Sequence, residues 1–254
     1  MQAVFKEQGL VVPFIAESRH ALGQKAAEEI ASELRRLLAS QSGVRMIFAA
    51  APSQSEMLEA LASAPGIAWD RVHAFHMDEY LGLANNAPQR FGLWLRHAFF
   101  DRLPLAAVDL LEPGDDPETT ARAYASRLAE APIDIVCCGI GANGHLAFND
   151  PPADFSDPDD VKVVLLDDVC RQQQVDDRCF ASFDEVPSRA LTLTVPRLMR
   201  SGRMFCCVPG TSKKDAVERT LNGPISDACP ASVLRMHPSV KLYLDKESAA
   251  ELGS

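Results

Sequence analysis

The stretch Ile133-Asp134-Ile135-Val136-Cys137-Cys138-Gly139-Ile140-Gly141-Ala142-Asn143-Gly144-His145-Leu146-Ala147-Phe148-Asn149-Asp150-Pro151-Pro152 decides how the rest of the chain is read. Its first part, Ile133 to Cys138, is a nearly unbroken apolar run of strand length. Such a run suits a strand buried on both faces. Gly139, Gly141 and Gly144 then let the backbone turn sharply and approach a ligand closely. His145 and Asp150 follow five residues apart, and two prolines close the segment. A titratable ring and an acid on a small-residue turn, just past a buried strand, make the composition of an active-site loop. A tight turn with a partly exposed histidine is the plainer alternative.

Working outward, apolar runs alternate with amphipathic ones. Strands are expected at residues 11–16, 44–51, 72–75, 108–111, 161–166, 190–195, 203–208 and 240–244. Helices are expected at residues 17–39, from Ser55 through Met57, Leu58 and Leu61, and at 91–102, 118–131, 196–200, 213–221, 231–236 and 246–252. Ser18 is placed to cap the first helix, whose apolar stripe runs Leu22, Ala26, Ile30, Leu34 and Leu37. This alternation predicts an α/β fold: a doubly wound, mainly parallel sheet with helices on both faces, as one domain over residues 1–254.

The chain has 254 residues, 47% of them hydrophobic, enough for a sizeable core. Its net charge of −10 argues against a nucleic-acid surface. No apolar run is long enough to span a membrane, and Met1 to Lys6 lack a signal-peptide pattern. The seven cysteines include two vicinal pairs, Cys137-Cys138 and Cys206-Cys207, inside apolar runs. They read as reduced, buried hydrophobes in a cytoplasmic protein. Their spacing with the histidines disfavours a zinc site.

In a doubly wound sheet, ligands bind beyond the carboxyl ends of the strands. That rule gathers the loops 50–55, 76–82, 139–152 and 209–214 into one place. The loop Val208-Pro209-Gly210-Thr211-Ser212-Lys213-Lys214 offers backbone N–H groups, hydroxyls and lysine to a phosphate. Ala51-Pro52-Ser53-Gln54-Ser55 offers a hydroxyl at a helix start, either as cap or as phosphate ligand. His76-Met77-Asp78-Glu79-Tyr80 puts two carboxylates just past a strand end, where one can act as a base. His145 needs a partner for its second ring nitrogen, and Asp150, Asn143 or a backbone carbonyl can serve.

Met77-Asp78-Glu79-Tyr80-Leu81-Gly82-Leu83 and the segment from Gly139 to Pro151 resemble the glucosamine-6-phosphate deaminase (isomerase) family, which shares its fold with 6-phosphogluconolactonases. Val186-Pro187, Ala190-Leu191-Thr192 and Gly210 with Lys213 fall at similar places, so the resemblance runs from about Glu17 to Leu244. It implies conversion of a 2-amino-2-deoxy hexose 6-phosphate, with glucosamine-6-phosphate first, to a ketose phosphate and ammonia, without metal or organic cofactor. The catalytic set it implies is Asp78, Asn143, His145 and Asp150. The phosphate set is Ser53, Gln54 and Lys213 with Arg171 or Arg178, and Glu79, Gly141 and Gly144 are expected close to the substrate. The implied partner is a small-molecule sugar phosphate, with no nucleic acid and no membrane, and self-association is left open.

Three positions depart from the family pattern. Asn143 stands where many members have Asp, Asp150 where Glu is usual, and Ala50-Ala51-Pro52-Ser53-Gln54 replaces a glycine-rich turn. The acidic stretch Asp157-Pro158-Asp159-Asp160 stands where the resemblance places an allosteric sugar-phosphate site in some members; Lys162 is there without a basic neighbour, and no such regulation is expected. A lactonase-like hydrolase is the first alternative, and a sugar-phosphate binder without turnover the second.

Overall fold

A computed structural model describes residues 11–252. The expected strand and helix alternation is present. The strands are β1 (Phe14–Ala16), β2 (Val44–Phe48), β3 (Val72–His76), β4 (Asp78–Tyr80), β5 (Ala107–Asp109), β6 (Ile135–Cys138), β7 (Val161–Leu165), β8 (Arg189–Leu193), β9 (Arg203–Val208) and β10 (Val240–Asp245). The helices are α1 (Arg19–Leu38), α2 (Ser55–Ala62), α3 (Phe91–Ala98), α4 (Pro117–Ala129), α5 (Asp168–Asp176), α6 (Val195–Met199) and α7 (Lys214–Leu221). Ser18 caps α1 as expected, accepting from the Ala21 backbone N–H. The expectation about Met1 to Lys6 lies outside the described residues.

Seven strands form one parallel sheet in the order β1-β10-β9-β6-β2-β3-β5. Successive residues of its strands feed two separate cores. Met46, Phe48, Ile135, Cys137, Phe205 and Cys207 pack with α1, α2 and α3. Ile47, Val136, Cys138, Met204, Cys206 and Val208 pack with α4, α6 and α7 on the other face. A strand points alternate side chains to opposite faces, so each vicinal cysteine pair is split between the two cores. All seven thiols are free.

Three elements differ from the sequence reading. The segment after β3 is not a loop. Its residues Asp78–Tyr80 form β4, in a second, three-stranded antiparallel sheet of order β4-β8-β7. Helix α5 stands where no helix is expected. It buries only Cys170 and Gln174, and its two valines stand six residues apart with Val169 exposed, so it carries no continuous apolar stripe. The expected last helix, 246–252, is a series of turns. Asp245 opens it by accepting from the Ser248 N–H at 2.8 Å, while its carboxylate also accepts from the Gly210 N–H.

The chain leaves β2 toward β3 and β5, then returns through β6 to build β9 and β10 on the other side. This reversal opens a crevice at the carboxyl ends of β2, β6 and β9. No helix among the described residues is long and apolar enough to cross a membrane.

Candidate active site

One cleft sits at that crevice, enclosing about 550 Å³ of empty space including its open mouth. Each of the four loops grouped by the sequence reading contributes to it: Ser53, Asp78, His145 and Lys213 all line it. Gly139 and Gly141 form its floor, and Phe91 and Phe148 lie on its wall.

Asp78 starts β4 and is 6% exposed. No described residue donates a hydrogen bond to its carboxylate. Burial, and next the charge of Glu79, hold its pKa well above the usual carboxylate range. The neighbouring Glu79 takes the opposite face of the strand, as alternation requires. It accepts from the backbone N–H groups of Phe91 and Gly92 at 3.1 and 3.0 Å, holding the start of α3. It lines a different cavity, with Arg90 and Leu111, so the expectation that Glu79 lies beside the substrate is corrected.

His145 is held from both ends. Its backbone N–H donates to Asn143 Oδ1 at 3.0 Å, and its ring Nδ1 lies 3.1 Å from Asp150 Oδ1. Of the partners left open by the sequence, Asp150 is therefore the one the ring uses. Asn143 does not touch the ring. Its Nδ2 donates to Asp150 Oδ1 and to Asp167 Oδ2, both at 2.9 Å. Burial works to raise the Asp150 pKa, but the hydrogen bond and charge of His145, then Asn143 and the Asp167 N–H, bring it below the ordinary value. An ionised carboxylate only accepts, so Nδ1 carries a proton toward Asp150, and no described residue bonds Nε2. The Nε2 side of the ring lies flat over Gly141. A side-chain carbon there would sit 2.2 Å from Cε1 and Nε2. Gly144 lies behind the loop instead. Its φ is +92°, and an added Cβ would meet Cys229 Sγ at 2.8 Å. Gly144 shapes the turn and does not line the cleft.

His145, Asp150 and Cys170 bring a ring nitrogen, a carboxylate oxygen and a sulfur within 4.8 Å of one another. Burial, then the charges of Asp150 and Asp167, push the Cys170 thiol up, so it stays protonated. Within this cluster His145 Nδ1 and Asn143 Nδ2 both meet Asp150 Oδ1.

Toward the other side, Lys213 is 5% exposed and has no carboxylate within ion-pair range among the described residues. Burial lowers its pKa, with Asp177 and Cys170 opposing. Ser53 accepts from Gln54 Nε2 at 3.1 Å, which leaves its O–H free to donate. Gln54 itself is fully buried. Its amide N–H groups go to Ser53 and to the Cys207 carbonyl, so it positions the loop and offers no donor to a ligand.

The two candidate arginines separate clearly. Arg171 donates to the carbonyls of Phe183 and Val186 at 3.1 and 2.9 Å, and its guanidinium lies 4.0 Å over the Phe183 ring. It ties down a loop and is absent from the cleft. Arg178 borders an adjoining cavity with Ala50, Ala51, Pro52 and Asp177. Its φ is +62°, a left-handed position just past α5. Cys179 N–H bonds the Gln174 carbonyl and Arg178 N–H the Val175 carbonyl, the helix-ending pattern that usually takes glycine.

Helix α5 adds residues beyond those expected: its Gln173 and Gln174, and Asp177 at its end, line the cleft. Asp167 caps this helix through the Cys170 N–H at 2.6 Å and also donates its own N–H to Asp150 Oδ2 at 3.0 Å. Gln173 Oε1 accepts from the Ala142 N–H at 2.7 Å. The only signal in the sequence was the capping aspartate before a polar run.

A switch-point cleft with a buried free carboxylate, a histidine–carboxylate pair and an unpaired lysine defines a class of α/β protein built to hold an anionic small molecule. The chain belongs to the family of glucosamine-6-phosphate isomerases and 6-phosphogluconolactonases, whose family model matches residues 17–243. Among its relatives, a glucosamine-6-phosphate deaminase of Cutibacterium acnes is 31% identical over 242 residues, covering 94% of this chain and 91% of that one. Another, from Oenococcus oeni, is 34% identical over 181 residues, covering 71% of this chain and 75% of that one. A solved monomeric glucosamine-6-phosphate deaminase superposes with a TM-score of 0.86 at 27% identity, covering 94% of this chain and 99% of the other. The 6-phosphogluconolactonase of Thermotoga maritima superposes at 0.74 with 18% identity over 92% of this chain and 98% of that one, a likeness of fold.

Proposed function

We propose that the protein is an enzyme that isomerises and deaminates glucosamine-6-phosphate to fructose-6-phosphate and ammonia. One observation carries this reading: the buried, hydrogen-bond-free carboxylate of Asp78 shares a cleft with the His145–Asp150 pair and the unpaired Lys213. In the proposed mechanism, the phosphate binds Lys213 and the Ser53 hydroxyl, with Arg178 reaching over the adjoining cavity. His145 moves a proton between the ring oxygen and the C1 hydroxyl through Nε2, while Asp150 holds Nδ1. The open-chain aldehyde acidifies the C2 hydrogen. Asp78 takes that proton and returns it to C1, while the carbonyl oxygen gains a proton and the amino nitrogen gives one up, which leaves a hydroxymethyl C1 and a C2 imine. Water adds to the imine and ammonia leaves, giving the ketose. Burial that raises the Asp78 pKa makes its carboxylate a stronger proton acceptor than an ordinary aspartate. Every group in this scheme comes from one chain, so it needs no second copy. The unbridged thiols support a reducing, cytosolic setting.

The test is release of ammonia and ketose phosphate from glucosamine-6-phosphate, with galactosamine-6-phosphate and 6-phosphogluconolactone as parallel substrates. Ammonia from neither aminosugar overturns the reading, and acid release from the lactone alone replaces it with hydrolysis. Asp78→Asn is expected to abolish exchange of the C2 hydrogen with solvent. It is also expected to raise Tm at neutral pH. The raised pKa means the fold favours the neutral acid, so the cost of the charge is absent at low pH and grows as pH rises through the ordinary aspartate range. Exchange at the wild-type rate would remove Asp78 from the base role.

A further inference from the structure

We infer that Gln174 is a specificity-determining residue that recognises a hydroxyl on the carbons between the phosphate and the reacting end of the substrate; this rests on the sugar-phosphate reading above. Gln174 lines the cleft, is only 6% exposed, and its side-chain amide makes no hydrogen bond to any described residue. Buried polar side chains normally have a partner. The two others in this cleft whose side chains bond no described residue, Asp78 and Lys213, already have proposed tasks, in proton transfer and in phosphate binding. Gln173 does not share this state, since it is bonded to the Ala142 N–H and to Asp177.

The helix fixes where Gln174 acts. Cys170, Gln174 and Asp177 are spaced to share one face. Cys170 touches the Asp150 carboxylate at the His145 end. Asp177 bears on Lys213 at the ammonium end. Gln174 stands between them, opposite the middle of a chain whose ends are held by Lys213 and by Asp78 with His145. An amide carries both donor and acceptor, and so does a hydroxyl. The capping Asp167 and the Gln173–Ala142 bond set the height of this helix above the cleft, so the amide is delivered by the same network that orients His145.

The experiment compares wild type, Gln174→Leu and Gln174→Glu on glucosamine-6-phosphate and on its 3-deoxy and 4-deoxy analogues, reading ammonia release. Binding of inorganic phosphate serves as the control for the ammonium end. The expected result is a loss of about tenfold in kcat/KM for Gln174→Leu on the parent sugar. That loss disappears on the deoxy analogue lacking the recognised hydroxyl, and phosphate affinity is unchanged. Should Gln174→Leu fail to fold, Gln174→Glu keeps the volume and the acceptor oxygens and is expected to show a smaller loss with the same selectivity. An equal loss on every substrate, with wild-type activity intact, overturns the assignment while leaving the deaminase reading standing. A wild-type protein that releases no ammonia overturns that reading, and this assignment with it.

Discussion

Replacing Gly141 by alanine adds one carbon and should remove most of the activity. The added Cβ would lie 2.2 Å from Cε1 and Nε2 of His145 and 2.4 Å from Cδ2. Carbon contacts settle at about 3.5–4.0 Å, so the ring must retreat by more than about 1 Å. Its backbone offers little give. The His145 N–H is bonded to Asn143 Oδ1, and its carbonyl accepts from the Gly141 N–H, each at 3.0 Å. The ring therefore turns about its own side-chain bonds, and Nδ1 leaves Asp150 Oδ1, now 3.1 Å away. A misplacement of about 1 Å at a reacting group costs on the order of 10²-fold in rate, or about 2.7 kcal/mol of barrier. The ring borders an open cleft, so the loss of folding stability stays within about 1 kcal/mol. Ammonia release measured beside thermal unfolding separates the two effects. The effect should also be non-additive: on a His145→Gln background, Gly141→Ala is expected to cost little more. A Gly141→Ala protein within about threefold of wild-type kcat would refute the geometry from which this cost is worked.

Lys213→Met should raise KM for the sugar phosphate by about tenfold or more and raise Tm at pH 7, read by steady-state kinetics and thermal unfolding. Burial lowers the Lys213 pKa, so the fold favours the neutral amine. The cost of the charged form is present at pH 7 and is relieved as pH rises toward the ordinary lysine value. Glu79→Ala strands the backbone N–H groups of Tyr80, Phe91 and Gly92 and is expected to cost about 2 kcal/mol or more in denaturant unfolding. Activity should survive it. The acidic limb of the pH–rate profile should move to lower pH, because the Glu79 charge helps hold the Asp78 pKa up. Arg178→Gly should stabilise the protein by about 0.5–1 kcal/mol, since glycine takes a left-handed φ freely, while KM for the phosphorylated substrate rises. A fall in both stability and KM would count against Arg178 as a phosphate ligand.

The layered α/β fold and the gathering of four loops follow from residue order alone, because buried parallel strands must be apolar and their helices striped. Period and turn chemistry are local properties. The run from Ile133 to Pro152 already named His145 and Asp150, and the motif from Met77 to Leu83 named Asp78. What stayed hidden depended on which side chains meet. Asp78 and Glu79 are neighbours of the same chemistry, and only the pairing of β4 with β8 sends one to the cleft and the other to the start of α3. Arg171 lies in the first turn of one short helix, α5, and Arg178 just past its end. Carbonyls from a later loop occupy the first, and the helix-ending turn presents the second. Helix α5 has no apolar stripe, so no periodicity announces it. It is held by an aspartate cap and by bonds to the His145 loop. Those contacts join residues far apart in sequence, so Gln174 reaches the cleft through packing that no local pattern encodes.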